Sequence, residues 1–294
     1  MKNKFVIVGS TSSVGSVMAS RLTAMGNNVR GVSRTEGVSL DDQFALRQAF
    51  SGVDGAFVMI PFDMQATDLH QREMEIGQRL RDAIESSGVK RIVLLSGLNA
   101  PLKMGSSLGA ALMEDQLNAM NIPELVHLRA GFFMENFFKG LGFIQQAVSG
   151  VFGTAFRGDI PMPMIAAKDI AEVAVQILVR SSFDQPRILE LPGPKRYTLL
   201  EATQLLGFLV GNPNLKYVQT PIEESRLAMI GMGLSPSFAD AVTETASSFN
   251  RMERWGQDET SPLSLTPTTL IQFAELELKK HVEAGRSAIK SSLL

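Results

Sequence analysis

Chemistry in this chain starts with small residues near its beginning. An apolar run, Phe5 to Val8, breaks into Gly9-Ser10-Thr11-Ser12-Ser13-Val14-Gly15 and continues as a segment with helical spacing to Met25. The first N–H groups of a helix lack partners within it and lie at the positive end of its dipole. A turn of small residues at that point therefore lets an anion approach unpaired donors. Gly9 and Gly15 stand where a dinucleotide pyrophosphate is cradled. Position 12, where the three-glycine form of this turn has its middle glycine, carries Ser12, whose Cβ restricts the backbone while its hydroxyl can donate to a phosphate. Residues 9 to 15 are thus expected to bind the cofactor, against the plainer alternative of a strand–turn–helix with a serine N-cap.

The second apolar run, Val29 to Val32, ends in Ser33-Arg34. Sites for NAD usually place an acid there for the ribose diol, whereas sites for NADP place an arginine nearby for the 2′-phosphate. A charge-assisted hydrogen bond is worth about 1.5–3 kcal/mol, or about a 10- to 150-fold preference, so Ser33 and Arg34 point to NADP(H). Glu36 keeps NAD(H) open as the less favoured cofactor.

Composition removes other chemistries. The chain has no cysteine, which excludes disulfides, thiolate nucleophiles and cysteine-ligated metals. Its three histidines, His70, His127 and His281, lie far apart, and no metal-ligand spacing remains. With 28 Lys and Arg against 30 Asp and Glu, net charge −2, no basic face for nucleic acid is expected. No apolar stretch approaches the length of a membrane span, and the run after Lys4 is too short for a signal peptide, so a cytoplasmic protein is expected.

The elements that must position these residues follow from periodicity. Short β-rich runs, Phe5 to Val8, Val29 to Val32, Ala56 to Ile60, Arg91 to Leu95 and Leu125 to Leu128, read as buried strands. Between them Val14 to Met25, Asp41 to Phe50, Gln65 to Ser87 and Leu108 to Met120 read as helices, with Gly26, Gly52 and Gly88 as stops. This alternation predicts an α/β fold, a doubly wound parallel Rossmann sheet with a smaller carboxy-terminal α+β cap. The sheet domain is expected over 1–155, with 165–193 returning to it as a helix, Lys168 to Val179, and a strand, Arg187 to Leu191; the cap is expected over 195–294, ending in a helix from Thr268 to Val282.

Four further segments make the chain resemble the NmrA-like group of atypical short-chain dehydrogenases/reductases along nearly its whole length. Ser51 to Pro61 is similar to the stretch leading to the group's fourth strand, and Gly88 to Ser96 to its fifth strand and terminal serine. Leu128-Arg-Ala-Gly131-Phe-Phe-Met-Glu-Asn-Phe137 resembles an Arg-Pro-Gly-Phe-Phe-Met-Glu-Asn signature, with Ala130 in place of proline, and Lys168-Asp-Ile-Ala171 resembles a helix start at which Asp169 would be the N-cap. The resemblance implies that Ile60, Pro61 and Ser96 border the cofactor and that Gly131, Phe132 and Phe133 neighbour the nicotinamide.

The same resemblance exposes a gap. Short-chain reductases pair the strand-end serine with Tyr-x-x-x-Lys on the following helix, yet Asn99 to Met120 contains Lys103 and no tyrosine; Tyr197 and Tyr217 lie far downstream and read as structural. A positioned acid contributes about 10²- to 10⁴-fold, so acceptors whose product takes its proton from water or substrate are expected, such as quinones or conjugated C=C and C=N bonds. Ser96 and His127 remain outside candidates for catalysis. The alternative is a non-catalytic NADP(H) sensor acting through a protein partner, and a weaker third is a structural domain with no bound nucleotide. The expected partner is therefore a small apolar substrate or a regulatory protein. Oligomeric state has no signal in the sequence.

Two patterns read as decoys. Gly105-Ser106-Ser107-Leu108-Gly109 has the letters of a hydrolase nucleophile elbow but lacks a buried strand before it, so Asn99 to Gly109 is expected to be a mobile loop acting as a lid. Met162, Met164, Met229, Met232, Phe238 and Phe249 are expected to fill an irregular core rather than line a substrate pocket.

Overall fold

Alternate residues of the first strand, β1 (Lys4–Val8), serve two cores, Phe5 and Ile7 on one face and Val6 and Val8 on the other. The structure is a computed structural model, and it describes residues 2–139, 142–253 and 265–278. β1 leads through α1 (Gly15–Ala24), β2 (Asn28–Val32) and α2 (Gln43–Phe50) to β3 (Gly55–Val58). Then follow α3 (Leu69–Ser87), β4 (Arg91–Gly97), α4 (Leu108–Asn118) and β5 (Glu124–Ala130). The helix starts are chemically marked, with the Asp42 and Asp68 side chains accepting the third helical N–H of α2 and α3, and Gly88 closes α3 in a left-handed conformation.

After β5 the chain forms β6 (Phe132–Phe133), α5 (Glu135–Lys139), α6 (Phe143–Val148), β7 (Val151–Thr154) and β8 (Met162–Ile165). It returns through α7 (Ala167–Val179) and β9 (Ile188–Leu191), then builds β10 (Lys195–Tyr197), α8 (Leu199–Leu209), β11 (Lys216–Gln219), α9 (Ile222–Gly231) and α10 (Pro236–Asn250). The main sheet has the order β2-β1-β3-β4-β5-β9, every pair parallel. Side chains of α1 and α7 cover the face of Phe5 and Ile7; those of α2, α3 and α4 cover the face of Val6 and Val8. The sheet is thus doubly wound, with its order reversing beside β1. The strands that the resemblance would number fourth and fifth are third and fourth here, because only a short 3₁₀ turn and α2 separate β2 from β3.

A second core gathers Met134, Phe137, Phe143 and Phe152 with Met162, Met164, Tyr197, Leu206 and Phe249, so it draws on chain before residue 155 as well as after 195. The Met and Phe set therefore divides. Met162, Met164 and Phe249 fill this core, whereas α9 buries none of its residues and Met232 is 69% exposed. Tyr197 and Tyr217 are tied into the same region: the Leu270 N–H donates to the Tyr197 hydroxyl (3.4 Å), and the Tyr217 hydroxyl donates to the Phe156 carbonyl (2.5 Å). Burial pushes the Tyr217 phenol up to about 12.

Asp169 corrects one expectation. The N-cap position of α7 belongs to Ala166, and the Ala167 N–H is received by the Glu135 carboxylate (3.0 Å). Buried Asp169 instead accepts from the Thr268 N–H (2.9 Å) and hydroxyl (2.7 Å), anchoring the segment that leads into a final helix over 270–278. The rest of the helix expected to Val282, and His281, lie outside the described residues.

Candidate functional site

Because the main strands run parallel, the segments that leave β1 to β5 emerge at one edge of the sheet. At the end of β1, Gly9 turns with φ +73, and its N–H donates to the Val32 carbonyl (2.9 Å), tying the turn to β2. A Cβ on Gly9 would also lie 2.5 Å from the Met59 sulfur. Gly15 is needed for a different reason, since a Cβ there would run into the Gly9 carbonyl oxygen and the Ser10 Cα.

Ser12 lies in the turn ahead of α1, whose N-cap position is Val14. The Ser12 N–H donates to the Gly9 carbonyl (2.8 Å), and its hydroxyl oxygen accepts from the Gly15 N–H (3.0 Å), so Ser12 ties the glycine turn to the first residue of α1. Among the described residues, the Thr11 and Val14 amides donate to nothing. Ser13 lies between them and is half-buried. Ser10 is buried, and its hydroxyl donates to the Glu36 carboxylate.

At the end of β2, the Ser33 hydroxyl accepts from the Glu36 N–H (3.3 Å) and caps the 3₁₀ turn from Arg34 to Glu36. Arg34 is exposed, with no ion-pair partner among the described residues. At the β3 end Ile60 is buried and Pro61 half-buried, and exposed Phe62 and Met64 follow. Phe62 meets Phe238 of α10 edge-on at 6.0 Å between ring centres. At the β4 end Ser96 is only 6% exposed, and its hydroxyl oxygen is buried with no hydrogen-bond partner. At the β5 end a Cβ on Gly131 would lie 2.6 Å from the Pro163 carbonyl oxygen, so this glycine also answers a packing demand. Phe132 stacks edge-on with Phe137 and Phe156, while Phe133 packs on the sheet core.

Every expected site residue except His127 lies at this edge. His127 is in the middle of β5 with no exposed surface, its Nε2 3.0 Å from the Asn118 side-chain oxygen. Burial pushes its pKa down to about 4, aided by Arg129 and Arg187 and opposed by Glu114, so it is neutral and structural near neutrality rather than a proton donor to substrate. The unfolded imidazole takes up a proton below pH about 6.5, whereas the folded one resists until about 4. Stability is therefore expected to fall by about 3 kcal/mol as pH drops through that window, and His127→Gln should flatten the fall. Urea unfolding at pH 7, 5.5 and 4 measures it; parallel slopes for wild type and variant would refute this account.

The expected lid is corrected as well. Residues 100–102 and 105–107 form two 3₁₀ turns, the second held down by α10 through the Gly105 N–H donating to Glu244 (2.8 Å) and the Ser106 N–H to the Thr245 hydroxyl (2.9 Å). Ser107 donates to the Asn99 side-chain oxygen (2.5 Å) and is the last residue of a 3₁₀ turn rather than the first after a strand, which removes the nucleophile-elbow geometry. Sequence reasoning passed over Glu73, buried where α3 meets α4, its carboxylate facing Gly109 and 2.9 Å from His70 Nδ1. Burial raises its pKa against the pull of His70. The only local signal was the i, i+3 spacing of His70 and Glu73.

The site's donor set suits a dinucleotide: two unpaired amides at a helix start, an exposed arginine past the end of the neighbouring strand β2, and a buried hydroxyl without a partner at the end of β4. No group of three or more His, Asp or Glu side chains that could hold a metal ion occurs among the described residues, nor does a helix long and apolar enough to cross a membrane. The fold and its open strand edge define a doubly wound α/β protein of Rossmann type. More specifically, the chain belongs to the NmrA-like family, whose model matches residues 1–277. It is 29% identical over 228 residues to an NAD(P)H azoreductase of Xenophilus azovorans, covering 74% of this chain and 72% of that protein. Its fold is shared with the NADPH-dependent quinone oxidoreductase QOR2 of Escherichia coli (TM-score 0.70, 20% identity, 93% of this chain and 99% of that one). It is shared too with NmrA, a negative transcriptional regulator crystallised with NADP (TM-score 0.64, 16% identity, 97% and 98%).

Proposed function

We propose that this protein is an NADP(H)-dependent oxidoreductase that reduces an apolar acceptor such as a quinone or a conjugated C=C or C=N bond. The observation that carries the reading is the open start of α1, where the Thr11 and Val14 amides lack partners, with the exposed Arg34 following the end of the neighbouring strand β2. The azoreductase and quinone oxidoreductase relatives support the reaction class. Residues Gly9 to Gly15 hold the pyrophosphate, and Ser33 and Arg34 hold the 2′-phosphate. Ile60, Pro61, Ser96, Gly131, Phe132 and Phe133 flank the nicotinamide. When bound, the reduced nicotinamide supplies hydride.

The chain's own residues do the rest. The partnerless Ser96 hydroxyl gives a hydrogen bond to the carboxamide or the substrate, and Phe132, Phe133, Phe62 and Met64 offer apolar surface to a flat acceptor. The first turns of α4 carry neither Tyr nor Lys, so the product's proton comes from water. Calorimetric titration with NADPH and NADH, followed by NADPH oxidation with quinones, enones and imines, tests the proposal. Arg34→Ala is expected to lower the NADP/NAD affinity ratio by about tenfold, the low end for an exposed charge-assisted bond. Tight binding without turnover of any acceptor would transfer the assignment to a dinucleotide sensor. No binding at all would leave a purely structural domain.

A further inference from the structure

We infer that the outward face of α8 and the final helix is a docking surface for a second copy of this chain, which makes the protein a two-fold dimer. Helix α8 is apolar on both sides. Leu199, Ala202, Thr203, Leu206 and Gly207 turn inward and are buried, which accounts for one face. Glu201, Gln204, Leu205, Phe208 and Leu209 repeat the three-and-four step of a helical stripe on the opposite face. With Lys195 of β10 and Ile271 and Glu275 of the final helix, that stripe lines a groove of about 450 Å³. Phe208 is 73% exposed there, and Ile271 is exposed as well. A helix with apolar residues on both sides is ordinarily covered on both, yet among the described residues only the inner face of α8 is.

The charges along the groove select the occupant. Glu201 is engaged within its own helix, its carboxylate accepting the Thr198 N–H (2.8 Å) in the capping box of α8, and Lys195 Nζ stays 4.0 Å from it. Glu275 has no hydrogen-bond or ion-pair partner among the described residues. The face therefore carries an available cation and an available anion beside one apolar stripe, and such a face is complementary to itself. A uniformly basic or acidic partner would pair one of these charges and strand the other. A two-fold axis that lays the two α8 helices antiparallel seats Phe208 of each copy in the groove of the other and brings Lys195 of each to Glu275 of the other. Phe208 is then the buried aromatic anchor, and the rim charges set the register. None of these residues belongs to the cofactor site, so the dimer and the proposed function stand or fall separately.

Sedimentation velocity across a concentration series tests this, with wild type expected to be dimeric in the micromolar range. Phe208→Asp is expected to raise the dimer Kd by on the order of 100-fold, because it puts a charge where the anchor sat. Glu275→Lys sets like charges against each other twice in a two-fold interface and is expected to raise Kd by about tenfold. Adding Lys195→Glu to it should bring Kd back to within about threefold of wild type, which a merely destabilised fold would not do. The substituted side chains are exposed, and a melting curve of each variant confirms that it is folded. A wild type that stays monomeric at millimolar concentration overturns the inference. So does one that dimerises only after residues 279–294 are removed, which would make the chain itself the occupant of the groove. A Phe208→Asp dimer as tight as wild type, or a double variant no tighter than Glu275→Lys alone, overturns it too and moves the contact between copies elsewhere.

Discussion

Gly15→Ala is expected to weaken dinucleotide binding by about 10- to 100-fold. Overpacking costs about 1–3 kcal/mol when the neighbour cannot yield, and the neighbour here is backbone, the Gly9 carbonyl and the Ser10 Cα. Relief requires the turn to open. Opening separates the Thr11 and Val14 amides from each other and breaks the bond between the Gly15 N–H and the Ser12 hydroxyl oxygen. The cost therefore falls on the donors that the pyrophosphate needs. Ser12→Ala is the control, since it removes that one hydrogen bond at about 0.5–1.5 kcal/mol while leaving room for the turn to keep its path. Titration calorimetry well below each variant's melting temperature reads the effect. If Gly15→Ala binds as wild type does, the turn is not where the pyrophosphate sits.

Glu114→Ala is expected to destabilise the fold by about 3–5 kcal/mol, the cost of leaving one member of a buried ion pair without its partner. Arg129 grips Glu114 with two bonds, Nε to Oε1 at 3.0 Å and an outer guanidinium nitrogen to Oε2 at 2.6 Å, and the side chains are 15% and 6% exposed. That bond holds the Arg129 pKa above its ordinary value, and the guanidinium stays charged at every accessible pH. It also joins α4 to the end of β5 just before Gly131, so it steadies the strand from which Phe132 and Phe133 emerge. The double variant Glu114→Leu with Arg129→Met should recover most of the loss, because an apolar pair of similar volume needs no desolvation. Urea unfolding of the three variants measures this. A loss under about 1 kcal/mol for Glu114→Ala alone would mean that Arg129 finds water or another acceptor.

Within the site, the sequence pointed to what depends on neighbours in the chain. Gly9 and Gly15 stand out because a turn this tight closes within seven residues, and Ser33 because it caps the turn that starts beside it. It did not reveal Glu36 over Gly31, the hold of Glu244 and Thr245 on Gly105 and Ser106, or the bond from Asp169 to Thr268. In the last case the local pattern was misleading, since an aspartate near a helix start has the look of a cap until its carboxylate is seen bonded 99 residues away.

Taken alone, the order of amino acids determined the strands, the helices wound on both faces and the opening turn, because hydrophobic period, capping side chains and glycine act over a few residues. Only the folded chain decided that His127 is buried and neutral, that the Asn99 to Gly109 loop is strapped down, and which charge faces the end of β2. Those outcomes depend on which distant surfaces meet and how much water they exclude, and no local pattern carries that information.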